Sequence, residues 1–269
     1  MSRLINAWVW TTTVLAVIVG FIYVSIVWLV TAPFDPGRYA AGRAFRQIAV
    51  VGTWLNPYWS FETSGVRIRD PRRPYVAVSN HESYADIFLL SHLPWEMKWL
   101  SKDTIFKIPV MGWMMTMAGD IRLTRGNRDS AAQAITACRD RLAKKVSVMI
   151  FPEGTRSRTA DLLPFKDGAF RLAIEAGVPI LPIAVAGTRY AMAKGSFQFR
   201  KAHARCRVLE PIETTGLTFA DLPALKERTR AVIDDARHAL MHELGIAVGA
   251  AADDAEDYAP EATAGAEHR

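Results

Sequence analysis

From Leu4 to Ala32 the chain carries no charged side chain and very few polar ones. A helix crosses the hydrocarbon core of a bilayer in about 20 residues, so this run predicts a membrane helix with length to spare. Trp8, Trp10 and Trp28 stand near its two ends, where an interfacial aromatic belt places such rings. The run exceeds the apolar core of a cleavable signal, about 7–15 residues, and TAPFDP is a poor cleavage site. Residues 1–33 therefore read as an uncleaved anchor. Gly20, near the middle, also permits a bent helix that dips into one leaflet. Arg38, Arg43 and Arg46 after the segment outweigh Arg3 before it, which puts the rest of the chain on the cytoplasmic face of an inner or plasma membrane. Residues 34–64 read as a linker with an interfacial helix, those arginines lying beside the apolar IAVVGTWL. A helix simply packed on the domain fits the same residues.

Past Gly65 the pattern changes to short apolar runs alternating with helical stretches. Strands are predicted at Tyr75–Val78, Met97–Leu100, Asp120–Leu123, Val146–Phe151, Ile180–Ala186 and Cys206–Leu209. Helices are predicted at Tyr84–Ser91, at Ile105–Ala118 (disturbed by Pro109 and Gly112), at Asp129–Lys145, at Asp167–Ala176 and at Asp221–Leu244. Ser130 and Gln133 stand at capping-box spacing at the start of the third of these. Strand–helix alternation predicts an α/β domain over residues 65–248, with a mixed, largely parallel sheet flanked by helices. Residues 249–269 are Ala-rich, acidic and poor in apolar bulk, and read as a disordered tail.

Composition sharpens this picture in two ways. The 269 residues bound one substantial core, and the net charge of +6 is unevenly spread. The tail holds six acids and one Arg, which leaves 32 Lys+Arg against 21 Asp+Glu in the rest. A basic body favours an anionic partner such as a phosphate or an anionic lipid surface. No nucleic-acid recognition motif or stacking platform accompanies the charge, so nucleic acid is not among the expected partners. Cys138 and Cys206 fall in a helical and a strand-like pattern and read as buried free thiols. No CxxC and no Cys/His zinc spacing is present, so no metal site is expected.

The candidate chemistry lies at two strand ends. PYVAV delivers His81 past its C-terminal end, with Asp86 five residues on. Histidine suits a general base near neutral pH. Asp86 has a second reading, because Ser83 and Asp86 match a capping box. Both readings are compatible: an acid in the first turn can hold one imidazole nitrogen and leave the other to take a proton, as in a Ser-His-Asp triad. No GxSxG elbow is present, so a serine acyl-enzyme has no support. The second strand end carries Glu153, Gly154, Thr155, Arg156 and, further on, Arg158. Glycine allows close backbone approach and arginine binds phosphate oxygens bidentately. Glu153 either orders these arginines or bonds a substrate hydroxyl. In GDIRLTRGNR, Arg122 and Arg125 point to opposite faces of a strand, and Arg125, at the strand end, is the choice for a phosphate.

These residues resemble the 1-acyl-sn-glycerol-3-phosphate acyltransferases and related glycerolipid acyltransferases. Asn80, His81 and Asp86 match the family's first motif, Gly119–Arg125 its second, Phe151–Ser157 (with Phe165, Lys166 and Gly168) its third, and Val178–Pro182 its fourth. Thr124 departs from the acid that many relatives place before the second-motif arginine. The resemblance implies that His81, oriented by Asp86, deprotonates the 2-hydroxyl of a lysophosphatidic acid. The alkoxide then attacks an acyl thioester, either acyl-CoA or acyl-carrier protein. Arg125, Glu153, Gly154, Thr155 and Arg156 would hold the glycerol phosphate. Lys102 lies in a segment similar to the family's Lys-x-x-x-x-x-x-Pro-x-x-Gly-Trp, and would meet the thioester oxyanion or the donor phosphates. No bound cofactor or metal is implied. The Met-rich run Ile105–Ala118 reads either as core or as a fatty-acyl groove. Two rival functions remain at this point: acylation of another lyso-lipid, such as an ornithine lipid or a glycolipid, and non-catalytic lipid binding at the membrane.

Overall fold

The computed structural model describes residues 2–157, 161–192 and 199–246. The expected acidic tail and Arg158 lie outside these residues. In chain order the elements are α1 (Ser2–Thr31), α2 (Tyr39–Trp54), β1 (Trp59–Gly65), β2 (Val76–Ser79), α3 (Ala85–Leu90), β3 (Met97–Lys102), α4 (Asp103–Phe106), α5 (Met111–Ala118), β4 (Ile121–Leu123), α6 (Arg128–Ala143), β5 (Ser147–Ile150), α7 (Gly168–Ala176), β6 (Ile180–Ala186), β7 (Ala202–Val208) and α8 (Leu222–Glu243). The strands form one sheet in the order β1-β7-β6-β2-β5-β3-β4. Every pairing is parallel except β6 with β7.

The centre of the sheet is buried on both faces, which is why β2, β5 and β6 read as unbroken apolar runs. Val76, Val78, Val148 and Ile150 face a core completed by Phe170 and Leu172 of α7 and Ile233 and Leu240 of α8. Ala77, Met149, Leu181 and Ile183 face a second core with Leu89, Trp95 and Trp99. Cys138 and Cys206 are buried in these layers, and burial pushes both thiols up to about 12, so neither is a ready nucleophile.

Three elements differ from expectation. The sheet begins at Trp59, inside the stretch read as linker: β1 pairs parallel with β7 in the register Phe61↔Ala204. Its alternation of Trp59, Phe61 and Thr63 was hidden beside apolar α2. β7 starts four residues before the predicted Cys206, because small Ala202 and Ala204 occupy its buried positions. The predicted helix Ile105–Ala118 is two helices, α4 and α5. Pro109 has no N–H to give and clashes with a preceding turn, and Val110 after it takes a positive φ of 64°. The helix from Arg128 is capped by Asn127, whose side chain accepts from Ser130 N at 2.9 Å. Ser130 Oγ instead accepts from Thr124 N at 2.8 Å, which displaces the Ser130–Gln133 cap.

α1 is long and apolar enough to cross a membrane by length and composition. It does not stand apart from the domain. One stripe, including Val17, Phe21 and Val24, packs with Ala44 and Ile48 of α2 and Met114 of α5. Gly20 makes this possible, since a Cβ there would sit 2.3 Å from Ile48 Cδ1. The opposite stripe, with Leu15, Ile18, Ile22, Ile26 and Leu29, is exposed. α2 does not present its arginines along one face. Arg43 donates to the carbonyls of Leu93 and Trp95 at 2.8 and 3.3 Å. Arg46 is buried against Asp120, with Glu96 at 3.6 Å. Both side chains are thus engaged within the domain.

Candidate active site

Parallel pairing of β2 with β5, Val78 opposite Ile150, brings the two predicted motifs side by side at the carboxyl end of the sheet. Asn80 ends β2. Its side chain donates to Val185 O at 2.9 Å and accepts from Val185 N at 2.8 Å, adding a rung to the ladder with β6. The backbone can then leave the sheet at His81. His81 N donates to Glu153 Oε1 at 2.8 Å, and His81 O accepts from Ser157 N at 3.1 Å. The imidazole stacks on Phe151 with ring centroids 4.0 Å apart.

His81 Nδ1 lies 2.7 Å from Asp86 Oδ2. The same oxygen accepts from Glu82 N at 2.8 Å and Ser83 N at 3.1 Å, while Ser83 Oγ accepts from Ala85 N at 3.2 Å. The helix cap and the histidine contact are thus one arrangement, and Asp86 serves both. Its other oxygen, Oδ1, accepts from the Thr188 hydroxyl. Nδ1 being engaged, Nε2 is the imidazole nitrogen with no hydrogen-bond partner among the described residues.

Glu153 is buried, and both its oxygens are taken by backbone donors: Oε1 by His81 N and Oε2 by Leu163 N at 3.0 Å. Burial raises its carboxyl above the usual range, and those two backbone hydrogen bonds oppose the rise. It ties the two motif loops together. Gly154 turns with φ 71°, and a Cβ there would lie 2.5 Å from Lys166 Nζ. Thr155 is exposed. The Arg156 guanidinium sits 4.0 Å over the Tyr84 ring. A turn free of Cβ is therefore flanked by two cations, and Lys166 was noted in the sequence only as part of a motif.

Lys102 is exposed at the end of β3, and Arg125 is exposed in the turn after β4. Both lie at the same end of the sheet as His81. β4 is two places from β5 in the strand order, so Arg125 starts roughly 10 Å from the Arg156 loop at strand spacing. Arg122 turns away and stacks on Phe106 at 4.8 Å.

A cavity of about 410 Å³ opens between α1, α2, α3 and α5. Val17, Phe45, Ile87, Phe88, Ile105, Met111, Met114 and Met115 line it, so its wall is nearly all apolar, and Tyr84 joins it to the Arg156 side of the site. Beside it lies a charged cluster that sequence reasoning missed. Lys98 is fully buried, with Nζ 3.0 Å from Glu96 Oε1 and 2.6 Å from both Arg38 O and Ala118 O. Burial lowers the Lys98 ammonium and raises the Glu96 carboxyl, and their attraction opposes both shifts. The one signal was a Lys inside the apolar run Met97–Leu100.

Comparison with known proteins agrees with this architecture. Residues 61–186 match the model of the Acyltransferase family. A 1-acyl-sn-glycerol-3-phosphate acyltransferase of Chlamydomonas reinhardtii is 42% identical over 46% of this chain and 38% of its own. The chain likewise spans less than half the length of the chloroplastic relatives from Brassica napus and Arabidopsis thaliana. Human 1-acyl-sn-glycerol-3-phosphate acyltransferase beta is 34% identical over 68% of this chain and 69% of its own. The crystal structure of the 1-acyl-sn-glycerophosphate acyltransferase of Thermotoga maritima superposes with a TM-score of 0.67 at 20% identity, covering 88% of this chain and 96% of that one, and so shares the fold. Matched over more than two thirds of the human relative, this chain belongs to the 1-acyl-sn-glycerol-3-phosphate acyltransferase family.

Proposed function

We propose that this chain transfers a fatty acyl group from a thioester to the 2-hydroxyl of a 1-acyl-glycerol-3-phosphate, giving phosphatidic acid. The observation that carries the reading is the 2.7 Å contact of His81 Nδ1 with Asp86, which leaves Nε2 to work on substrate. Nε2 takes the proton of the acceptor hydroxyl as its oxygen attacks the thioester carbonyl. The tetrahedral intermediate collapses, the C–S bond breaks, and the leaving thiolate recovers the proton from Nε2. A base of this kind contributes about 10²–10⁴-fold, and positioning adds to it. The thioester is already activated, so the step needs no acyl-enzyme.

Arg156, Gly154, Thr155 and Arg125 hold the acceptor phosphate, with Lys166 beside them. Lys102 meets the donor, acyl-CoA or acyl-carrier protein. An acyl chain occupies the Met-lined cavity, where unbranched thioether side chains adapt to its shape. The exposed stripe of α1 lies in the cytoplasmic leaflet of the inner or plasma membrane, so the cavity opens where lipid is at hand. That placement follows the reading of the first 33 residues as a helix that dips into one leaflet, because α1 keeps its other stripe on the domain.

Purified full chain in detergent, given labelled lysophosphatidic acid with acyl-CoA or acyl-carrier protein, should form phosphatidic acid. A monoacylglycerol without phosphate should be a poor acceptor. No transfer from either donor, or equal rates with and without the phosphate, contradicts this reading.

A further inference from the structure

The site contains a side chain that neither motif predicts. Thr188 is fully buried, and it comes from the far end of β6, 102 positions from Asp86. Its approach is built into the backbone. Gly187 takes φ 92°, and a Cβ there would lie 2.2 Å from His203 O. Only glycine lets the chain turn this tightly beneath β7, and the turn delivers the Thr188 hydroxyl to Asp86 Oδ1. We propose that Thr188 is a positioning residue of this acyltransferase, holding the Asp86 carboxylate in the plane that presents Oδ2 to His81. The inference rests on the His81–Asp86 reading above.

Three donors converge on Oδ2: His81 Nδ1, Glu82 N and Ser83 N. Rotation of the carboxylate about its Cβ–Cγ bond would exchange the two oxygens among those donors. Thr188 is the one donor that the structure places on Oδ1 among the described residues. A threonine hydroxyl has one proton to give. Its other neighbour is Glu82 Oε2, at 3.4 Å, and Glu82 Oε1 is held by Arg189 Nη2, also at 3.4 Å. Asp86 is the closer acceptor, so the proton goes there. Removing the hydroxyl leaves a buried carboxylate oxygen without a donor, and that oxygen then competes for the imidazole or for the backbone donors. The effect reaches the substrate only through His81. It therefore falls on the chemical step and not on binding.

The test uses full-length chain labelled with ¹⁵N in its six histidines, in detergent, with His81→Gln to assign the His81 signals. Thr188→Val keeps the volume and removes the hydroxyl; Thr188→Ser keeps the hydroxyl and removes a methyl. Thr188→Val should change the His81 ring ¹⁵N shifts and lower kcat roughly tenfold or more, the scale of one hydrogen bond to a charged group. KM for acceptor and donor should stay within about twofold. Thr188→Ser should restore wild-type ring shifts and most of the lost rate. His81 shifts unchanged in Thr188→Val, or a Thr188→Ser protein as impaired as Thr188→Val, overturns the proposal. The spectra decide this even if lysophosphatidic acid proves not to be the acceptor, so the two readings fail separately.

Discussion

Two clusters built around buried carboxylates, Asp86 and Glu96, lie within the same domain and serve opposite ends. Around Asp86 the partners are mostly neutral: two backbone N–H groups, a hydroxyl and an imidazole. One nitrogen of that imidazole is left without a partner among the described residues. Around Glu96 the partners are charged, and the Lys98 ammonium makes three hydrogen bonds within the protein. The first cluster orients a group and keeps it available. The second fastens α2 and the end of α5 to β3. The second cluster also has atoms without a hydrogen-bond partner, Arg46 Nε, Glu96 Oε2 and Asp120 Oδ2, but these are buried, whereas the His81 side chain is partly exposed.

The comparison breaks first at the closed cluster. Lys98→Met leaves Glu96 with a depleted set of partners in a dry site, and the expected loss is about 3–5 kcal/mol. Thermal melting should fall accordingly, while kcat below the melting range stays near wild type. Lys98→Met with Glu96→Leu should recover much of that stability, because an apolar pair of similar volume needs no desolvated charge. A single variant as stable as wild type would show the cluster to be solvated. On the site side the matching change is Arg156→Ala, in the loop beside Tyr84. It should raise KM for the phosphorylated acceptor about tenfold or more with a smaller change in kcat, and leave the melting temperature almost unmoved. A drop confined to kcat would remove Arg156 from phosphate binding.

Smaller effects sharpen the contrast. Met114→Phe narrows the cavity wall and should shift donor preference toward shorter acyl chains by a few-fold, read from competition between two chain lengths. An unchanged profile would place the chain elsewhere. Glu82 supplies the pH arm. Burial raises its carboxyl, and Arg189 opposes the rise. A raised folded value means that the native state holds the proton where the unfolded chain has lost it. The stabilising contribution is present below the ordinary value of 4.5 and fades as pH rises through the raised one. Glu82→Gln cannot ionise, so urea midpoints measured upward from about pH 4.5 should fall less steeply in the variant. Parallel curves would contradict the shift.

What was readable in the chain followed how local each signal is. His81, Ser83 and Asp86 lie within six consecutive residues, so their spacing is compatible with both cap and contact. That His81 and Glu153 both stand just past strand ends was also readable, while the pairing of β2 with β5 came from the fold. Thr188 was not readable in the same way, because its meeting with Asp86 depends on the β2–β6 register and on the Gly187 turn. β1 was hidden because an edge strand beside apolar helices carries little pattern of its own. Glu153 reads in the sequence as a carboxylate among arginines. Its burial, and the two backbone N–H groups it accepts from, emerge only from the fold.

The most direct test is the rate of labelled phosphatidic acid formation by wild type and His81→Gln at saturating donor, with folding of both proteins checked by circular dichroism. The account predicts that the rate falls by about 10²–10⁴ in the variant. A folded variant that keeps the wild-type rate would mean that another group removes the hydroxyl proton.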